Sequence, residues 1–537
     1  MRLSALAPAL APALAVLALL SAAVPPARAA QAAQAASVAS AATTTSTASS
    51  PPEPSTGLAP CRLRHRPQAA LCGVLRRPLD PARPGGVAID IHYAVLPAQA
   101  RLKAADPVFF FAGGPGQSAI DAAAHFAGQH GRLNQRRDLV FVDLRGTGRS
   151  APLRCADDRP DAPAPPLAAQ YSAEARLQRL AACRAALQAL PYGDLRFFST
   201  TLAVADVEAV RQRLGAPRVN AIGVSYGTRV VLEWLRQTPQ ALRRAVLDGV
   251  APPDLRLSEA AALDNQRALD ALLAGCAADA GCASRHPQLR QQLQALAARL
   301  PAALSLPHPL TGQPERVTLD RDAFAALLRA PLYAPVLAAG LPAAIDAASR
   351  GQWAPLATLG AALGGGDMGI ATGLHHAVVC SEDLGDHAPE PPPEERAAAQ
   401  DGSNLFASAF RHLYQRACTG WPRAAVPAAF YRVAPSPVPV WLLSGGADPV
   451  TPPRHAERTA AALGAQARHI VMAQAGHGVL SQPCVRDAVR GFITLDDDAA
   501  ALAAEREALA SCGQRLPRPP AFVPPGLSAV QAVQEAR

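Results

Sequence analysis

Gly223-Val224-Ser225-Tyr226-Gly227 sets a serine one residue away from a glycine on each side. A serine hydroxyl attacks a carbonyl only when it stands clear of its neighbours and a base takes its proton. The G-x-S-x-G spacing meets the first condition on a tight strand-to-helix turn, where larger flanking residues would block the close backbone approach. Two later residues meet the second. His477 lies between glycines in Gly476-His477-Gly478, and Asp448 lies in Gly445-Gly446-Ala447-Asp448-Pro449-Val450-Thr451-Pro452. Ser, then Asp, then His is a chain order in which nucleophile, orienting acid and base recur. His455 is the competing base, and the helical pattern that starts near Pro453 assigns it to the surface.

Attack turns the carbonyl oxygen into an anion, so hydrogen-bond donors must already wait there. The N–H of Tyr226, next to the serine, is one candidate donor. Gly113 or Gly114, in Ala112-Gly113-Gly114-Pro115-Gly116, would let a second N–H come close. The same loop lacks the lysine and Ser/Thr of a Walker loop, which argues against a nucleotide. His375-His376 does not read as a metal site, because adjacent helical residues do not face one ligand and no H-E-x-x-H occurs. Neither a metal nor another cofactor is called for. Asp143 and Arg145 are expected to brace their loop without doing chemistry.

These residues need a scaffold that delivers them to one edge. Short apolar runs lead into glycine loops at Pro107–Phe111, Asp138–Asp143, Val219–Gly223, Ala245–Leu247, Val438–Leu443 and His469–Met472. Near-continuous apolar strands mean a sheet covered on both faces, and helical patterns at Leu202–Leu214 and Thr228–Gln237 provide the cover. The expected fold is α/β, a mostly parallel sheet with helices on both faces, as in the α/β hydrolases. Gly73–Leu75 and Val87–Val95 read as a hairpin ahead of it. The expected division is a first core part over 60–250, a helical cap over 251–437, a second core part over 438–515 and a tail over 516–537. The cap interval reads as almost wholly helical, punctuated by proline and glycine clusters.

Residues 1–29 have the charge, apolar run and Ala27-Arg28-Ala29 end of a signal peptide, and 30–59 form an Ala/Ser/Thr/Pro-rich stretch that cannot bury a core. The expectation is export to a periplasm or the medium, without membrane insertion after cleavage. Ten cysteines agree with an oxidising compartment. Proximity pairs them as Cys61–Cys72, Cys155–Cys183, Cys276–Cys282, Cys380–Cys418 and Cys484–Cys512. The net charge of +9 comes from arginines spread along the chain, without a basic block, so no nucleic-acid partner is expected. Oligomeric state is not legible.

The glycine loop, Asp143-Leu144-Arg145-Gly146-Thr147-Gly148-Arg149-Ser150, the Ser225 motif and the Asp448 motif, in that order, resemble the secreted prolyl and tripeptidyl aminopeptidases. The resemblance runs from about Cys72 to Cys512. It implies a serine peptidase acting on peptide N-termini, with Ser225 as nucleophile, Asp448 as acid and His477 as base. Prolyl members carry His where this chain has Ala112, which favours the tripeptidyl branch. An exopeptidase must also hold a free ammonium, and Glu382 and Asp383 beside Cys380 are the expected carboxylates. The alternatives are a carboxylesterase built from the same parts and a non-catalytic binding protein.

Overall fold

Eleven strands alternate with helices in a computed structural model that describes residues 57–66, 68–159, 161–362, 369–503 and 506–523. The expected signal peptide and most of the stretch after it lie outside the described residues. The strands are β1 (Ala59–Arg62), β2 (Ala69–Pro78), β3 (Ala88–Leu96), β4 (Val108–Phe111), β5 (Leu139–Val142), β6 (Val219–Val224), β7 (Leu242–Asp248), β8 (Ala302–Pro307), β9 (Pro314–Leu319), β10 (Val440–Gly445) and β11 (Ala467–Met472). Nine of them form one sheet in the order β1-β2-β3-β5-β4-β6-β7-β10-β11. β1, β2, β3 and β5 pair antiparallel; from β5 to β11 every neighbour is parallel. The expected α/β-hydrolase architecture is what the chain forms.

The sequence of β4, Val-Phe-Phe-Phe, has no polar face because it has no solvent face. Phe109 and Phe111 enter one apolar cluster with Val140, Val142 and Trp234, while Val108 and Phe110 enter the other with Leu139, Phe141 and Phe126. Successive strand side chains point to opposite sides, so one run feeds both layers. Each buried phenylalanine contributes about 2 kcal/mol of transfer free energy. Trp234, on the helix Tyr226–Gln237, packs edge-on against Phe109 and Phe111, which ties that helix to the sheet centre.

Between β7 and β10 the structure corrects the expectation of an almost wholly helical interval. β8 and β9 pair as an antiparallel hairpin with registers from Ala302↔Leu319 to Pro307↔Pro314. Leu306, Val317 and Leu319 are buried among exposed or half-buried neighbours, the alternation of a strand with one wet face. Helices such as Leu257–Ala278 and Arg321–Leu332 make up most of the rest. After the helix Arg506–Arg515 the chain crosses to this interval, where Arg518 donates to Leu272 O at 3.0 Å and Phe522 N–H to Ala339 O at 2.9 Å. The remainder of the expected tail, 524–537, lies outside the described residues. All five cysteine pairs read from proximity are disulfides.

Candidate active site

β6 ends in Val224, and the helix begins at Tyr226, which leaves one residue to make the turn. That residue is Ser225, with φ 55° and ψ −122°, a conformation that costs a non-glycine residue about 1–3 kcal/mol. The flanking glycines explain how the turn closes. A Cβ on Gly223 would stand 2.4 Å from Gly227 O, and one on Gly227 would stand 2.3 Å from Phe111 O. Ser225 N–H donates to Asp248 O at 2.8 Å, and Ser225 O accepts from Thr228 N at 2.9 Å and Thr228 Oγ1 at 2.6 Å. The strain is held from both sides.

Asp448 and His477 leave the ends of β10 and β11, and a 2.8 Å contact joins Asp448 Oδ2 to His477 Nδ1. Every other acceptor position of Asp448 is also engaged: Val450 N–H at 2.8 Å and Thr451 N–H at 2.9 Å on Oδ1, and the Thr451 hydroxyl at 2.8 Å on Oδ2. Burial pushes the Asp448 carboxyl up, but the charge and hydrogen bond of His477, with these N–H groups, bring it below the ordinary aspartate value. Burial pushes His477 down, and the charge and hydrogen bond of Asp448, with the charge of Asp248, lift it above the ordinary histidine value. Tyr333 O accepts His477 N–H at 2.9 Å, and the Tyr333 ring stands edge-on to the imidazole at 5.3 Å.

Ser225 and His477 share no hydrogen bond among the described residues. Asp248 and Gly249 link them. Asp248 O holds Ser225 N–H, and a Cβ on Gly249 would lie 3.3 Å from His477 Cε1. The Asp248 carboxylate in turn accepts Val479 N–H and Leu480 N–H at 2.9 Å, just after His477. Gly113, beyond β4, lies against the serine: its Cβ position is 3.2 Å from Ser225 Cβ. Its N–H donates to Gln117 Oε1 at 3.0 Å, so that donor is engaged in this state. Gly114, at φ 111°, has no room for a side chain, its Cβ position being 2.5 Å from Gly116 N. Tyr226 N–H opens a helix, where the first turn lacks intrahelical acceptors. Gly113, Ser225, Asp248, Asp448 and His477 thus lie at or just beyond the carboxyl ends of adjacent strands, the edge where open α/β sheets bind ligands.

Comparison with known families agrees with this geometry. The family described as alpha/beta hydrolase fold matches residues 106–319, and the family described as TAP-like protein matches 403–497, the stretch that carries Asp448 and His477. Each family matches part of the chain, and together they mark it as similar to the TAP-like α/β hydrolases. Over 242 residues, 42% of this chain and 45% of the relative, it is 31% identical to serine protease Hip1 of Mycobacterium tuberculosis. Over 195 residues, 35% of this chain and 36% of the relative, it is 29% identical to tripeptidyl aminopeptidase of Streptomyces lividans. Over 190 residues, 34% and 37% of the two chains, it is 28% identical to putative hydrolase YuaR of Escherichia coli. The matched segment spans less than half the length of each relative.

Glu382 and Asp383, expected from the sequence to hold a free ammonium, lie in a buried ion network. Each is 1% exposed. Glu382 accepts from Thr200 N–H at 2.7 Å, the Thr200 hydroxyl at 2.9 Å and Arg229 at 3.2 Å, while Asp383 accepts from Arg229 at 2.8 Å and Leu257 N–H at 3.0 Å. Each of the four carboxylate oxygens already accepts at least one hydrogen bond. The network instead binds the helix after Ser225 to the segment at Cys380. Glu382→Gln is therefore expected to lower the unfolding free energy by about 3 kcal/mol, as loss of one partner in a buried ion network does. Urea denaturation measures it; an unchanged midpoint with a raised KM for free-amine peptides would restore the ammonium-binding role.

Other sequence expectations separate in the same way. Asp143 accepts from the Ser118 hydroxyl at 2.6 Å and from Ile120 and Arg149 N–H at 3.2 Å, and Arg145 pairs with Asp206 at 2.8 and 3.0 Å, so both brace loops. His455 is not a surface residue: it is fully buried, with Nε2 2.8 Å from Asp264. His375 contacts the Tyr414 hydroxyl at 2.7 Å, and burial pushes its imidazole down to about 3. The sequence reading missed Asp248, Thr451, Gln117 and Tyr333. Thr451 carried a local signal, since a threonine three residues after an aspartate in a turn commonly bonds it. Tyr333 carried none.

Proposed function

We propose that this chain is an exported serine hydrolase that releases residues or tripeptides from peptide N-termini through an acyl-enzyme. The observation that carries the reading is the Asp448–His477 pair at 2.8 Å, beside a serine held at positive φ on the strand-to-helix turn. In the mechanism, His477 accepts the Ser225 hydroxyl proton as Oγ bonds to the substrate carbonyl carbon. Asp448 fixes the imidazole tautomer and steadies the imidazolium. Tyr226 N–H and a glycine-loop N–H receive the oxyanion, with Gly113 released from Gln117. His477 then gives its proton to the departing amine, and water attacks the acyl-enzyme by the same path reversed.

The peptide reading draws on the likeness to serine protease Hip1 and tripeptidyl aminopeptidase. A carboxylesterase is the second reading, favoured by the closure of Glu382 and Asp383 to an ammonium. Export is supported by the signal-like N-terminus and five disulfides. Among the described residues no helix is long and apolar enough to cross a membrane.

Purified protein offered Ala-Ala-Ala-nitroanilide with a free or acetylated N-terminus, beside nitrophenyl butyrate, decides between the readings. The free tripeptide should be cleaved at least about tenfold faster than its acetylated form, the value of one charge-assisted contact. Cleavage of the ester alone would overturn the peptidase reading.

A further inference from the structure

Several buried arginines of this fold are matched to carboxylates: Arg145 to Asp206, Arg229 to Glu382 and Asp383, Arg454 to Asp264 and Glu395. Arg329 is not. It lies in the last turn of the helix Arg321–Leu332, is half-buried, and has no Asp or Glu oxygen within 4.0 Å among the described residues. Its Nε is buried without a hydrogen-bond partner. The guanidinium carbon sits 4.9 Å from the centre of the Tyr333 ring and 4.5 Å from that of Phe410, and one N–H donates to the Tyr333 hydroxyl. Two aromatic faces orient a cation and shed water from it, but they do not neutralise it. An unmatched guanidinium held this way is ready for an anion.

Its position relates it to the reaction centre. Tyr333, which Arg329 touches, packs on the His477 ring and accepts His477 N–H. The Arg329 charge also acts on His375, whose own neighbour is Pro115 of the glycine loop. Arg329 thus reaches the base side of the site through Tyr333.

Arg176, which is exposed, also makes no ion pair among the described residues. Arg176 lines a cavity of about 570 Å³ with His375, His376, Tyr414 and Ile370. That cavity adjoins the glycine loop, since a Cβ on Gly116 would lie 3.0 Å from Ile370 Cγ2. The carboxylates along this wall are engaged: Asp157 pairs with Arg179 at 3.0 Å, and Asp158 holds Cys155 N–H and Thr372.

We propose that Arg329, supported by Arg176, is a carboxylate-recognition site that makes the enzyme select substrates bearing an anionic group within a residue or two of the scissile carbonyl. The planar guanidinium fork matches a carboxylate with two parallel N–H···O bonds, a fit that neither a neutral amide nor an ammonium offers. The proposal rests on the hydrolase reading of Ser225, but not on the substrate being a peptide.

Two substrate pairs test it, one of peptides and one of esters: Ala-Ala-Gln- against Ala-Ala-Glu-nitroanilide, and nitrophenyl butyrate against mono-nitrophenyl adipate. Wild-type protein should prefer the anionic member of a pair. Arg329→Gln should reduce the ratio of anionic to neutral kcat/KM by about tenfold, chiefly through KM, and Arg329→Lys should keep part of the preference. Equal loss on both members, with a displaced pH profile, would mean that Arg329 only tunes His477 and would overturn the site. Absence of any preference in wild type would overturn it as well.

If esters turn over and peptides do not, the peptidase reading falls while the ester pair still decides this one. Calorimetric titration of Ser225→Ala protein with the C-terminal amides of Ala-Ala-Glu and Ala-Ala-Gln, which differ only in the side-chain carboxylate, needs no turnover. Tighter binding of the Glu peptide, abolished by adding Arg329→Gln, supports the site. Equal binding rejects it.

Discussion

Ser225→Ala is expected to lower kcat about a million-fold, with the fold intact. The magnitude follows from what the hydroxyl does in the proposed mechanism: without Oγ no acyl-enzyme forms, and only donor groups and binding remain to help water. The structural cost should be slight, because the Ser225 side chain has no hydrogen bond to lose among the described residues. Alanine also inherits the same φ of 55°. Glycine adopts that φ without strain, so Ser225→Gly should lose the same activity yet raise unfolding stability by about 1 kcal/mol. Loss of activity accompanied by loss of the folding transition would instead give Ser225 a structural role.

Asp448→Asn is expected to cost about 10⁴-fold in kcat, because an amide facing His477 Nδ1 favours the wrong tautomer and cannot steady an imidazolium. The pH profile carries a second signature. His477 accepts a proton only when neutral, so kcat/KM of the wild type should fall as pH drops through a value above the ordinary histidine pKa, in keeping with its raised pKa. Removing the Asp448 charge removes the largest influence that raises it, so the acid limb of the variant should move to lower pH. Asp248 still faces the imidazole, and burial pushes its carboxyl up to about 6 despite Val479 and Leu480 N–H, so the displacement should be partial. A limb that stays fixed would separate Asp448 from the titration of His477.

The parts legible in the sequence are those whose physics is local. Val-Phe-Phe-Phe has no polar face and reads directly as a strand covered on both sides. Ser225 between spaced glycines reads as a tight turn, because a side chain there would collide with backbone. Neighbouring cysteines pair correctly because short loops bring them together. β8 and β9 escaped notice because proline and glycine around Pro307–Pro314 read as punctuation, although Leu306 and Val317 already had strand alternation.

Glu382 was misjudged for a different reason. Its partner Arg229 is 153 residues away, on the helix after Ser225, and only folding brings the charges together. The same holds for Tyr333 and His477, and for Arg329, which has no carboxylate partner among the described residues. A carboxylate or a guanidinium announces its charge in the sequence, whereas whether that charge is already answered is a property of the fold.

Reaction with a fluorophosphonate followed by peptide mass spectrometry tests the central claim most directly, because the reagent bonds only to an activated serine. One adduct per chain, on the peptide containing Ser225, is the expected result, absent in Ser225→Ala and formed far more slowly in Asp448→Asn. An adduct on another serine, or full hydrolytic activity in protein that forms none, would contradict it.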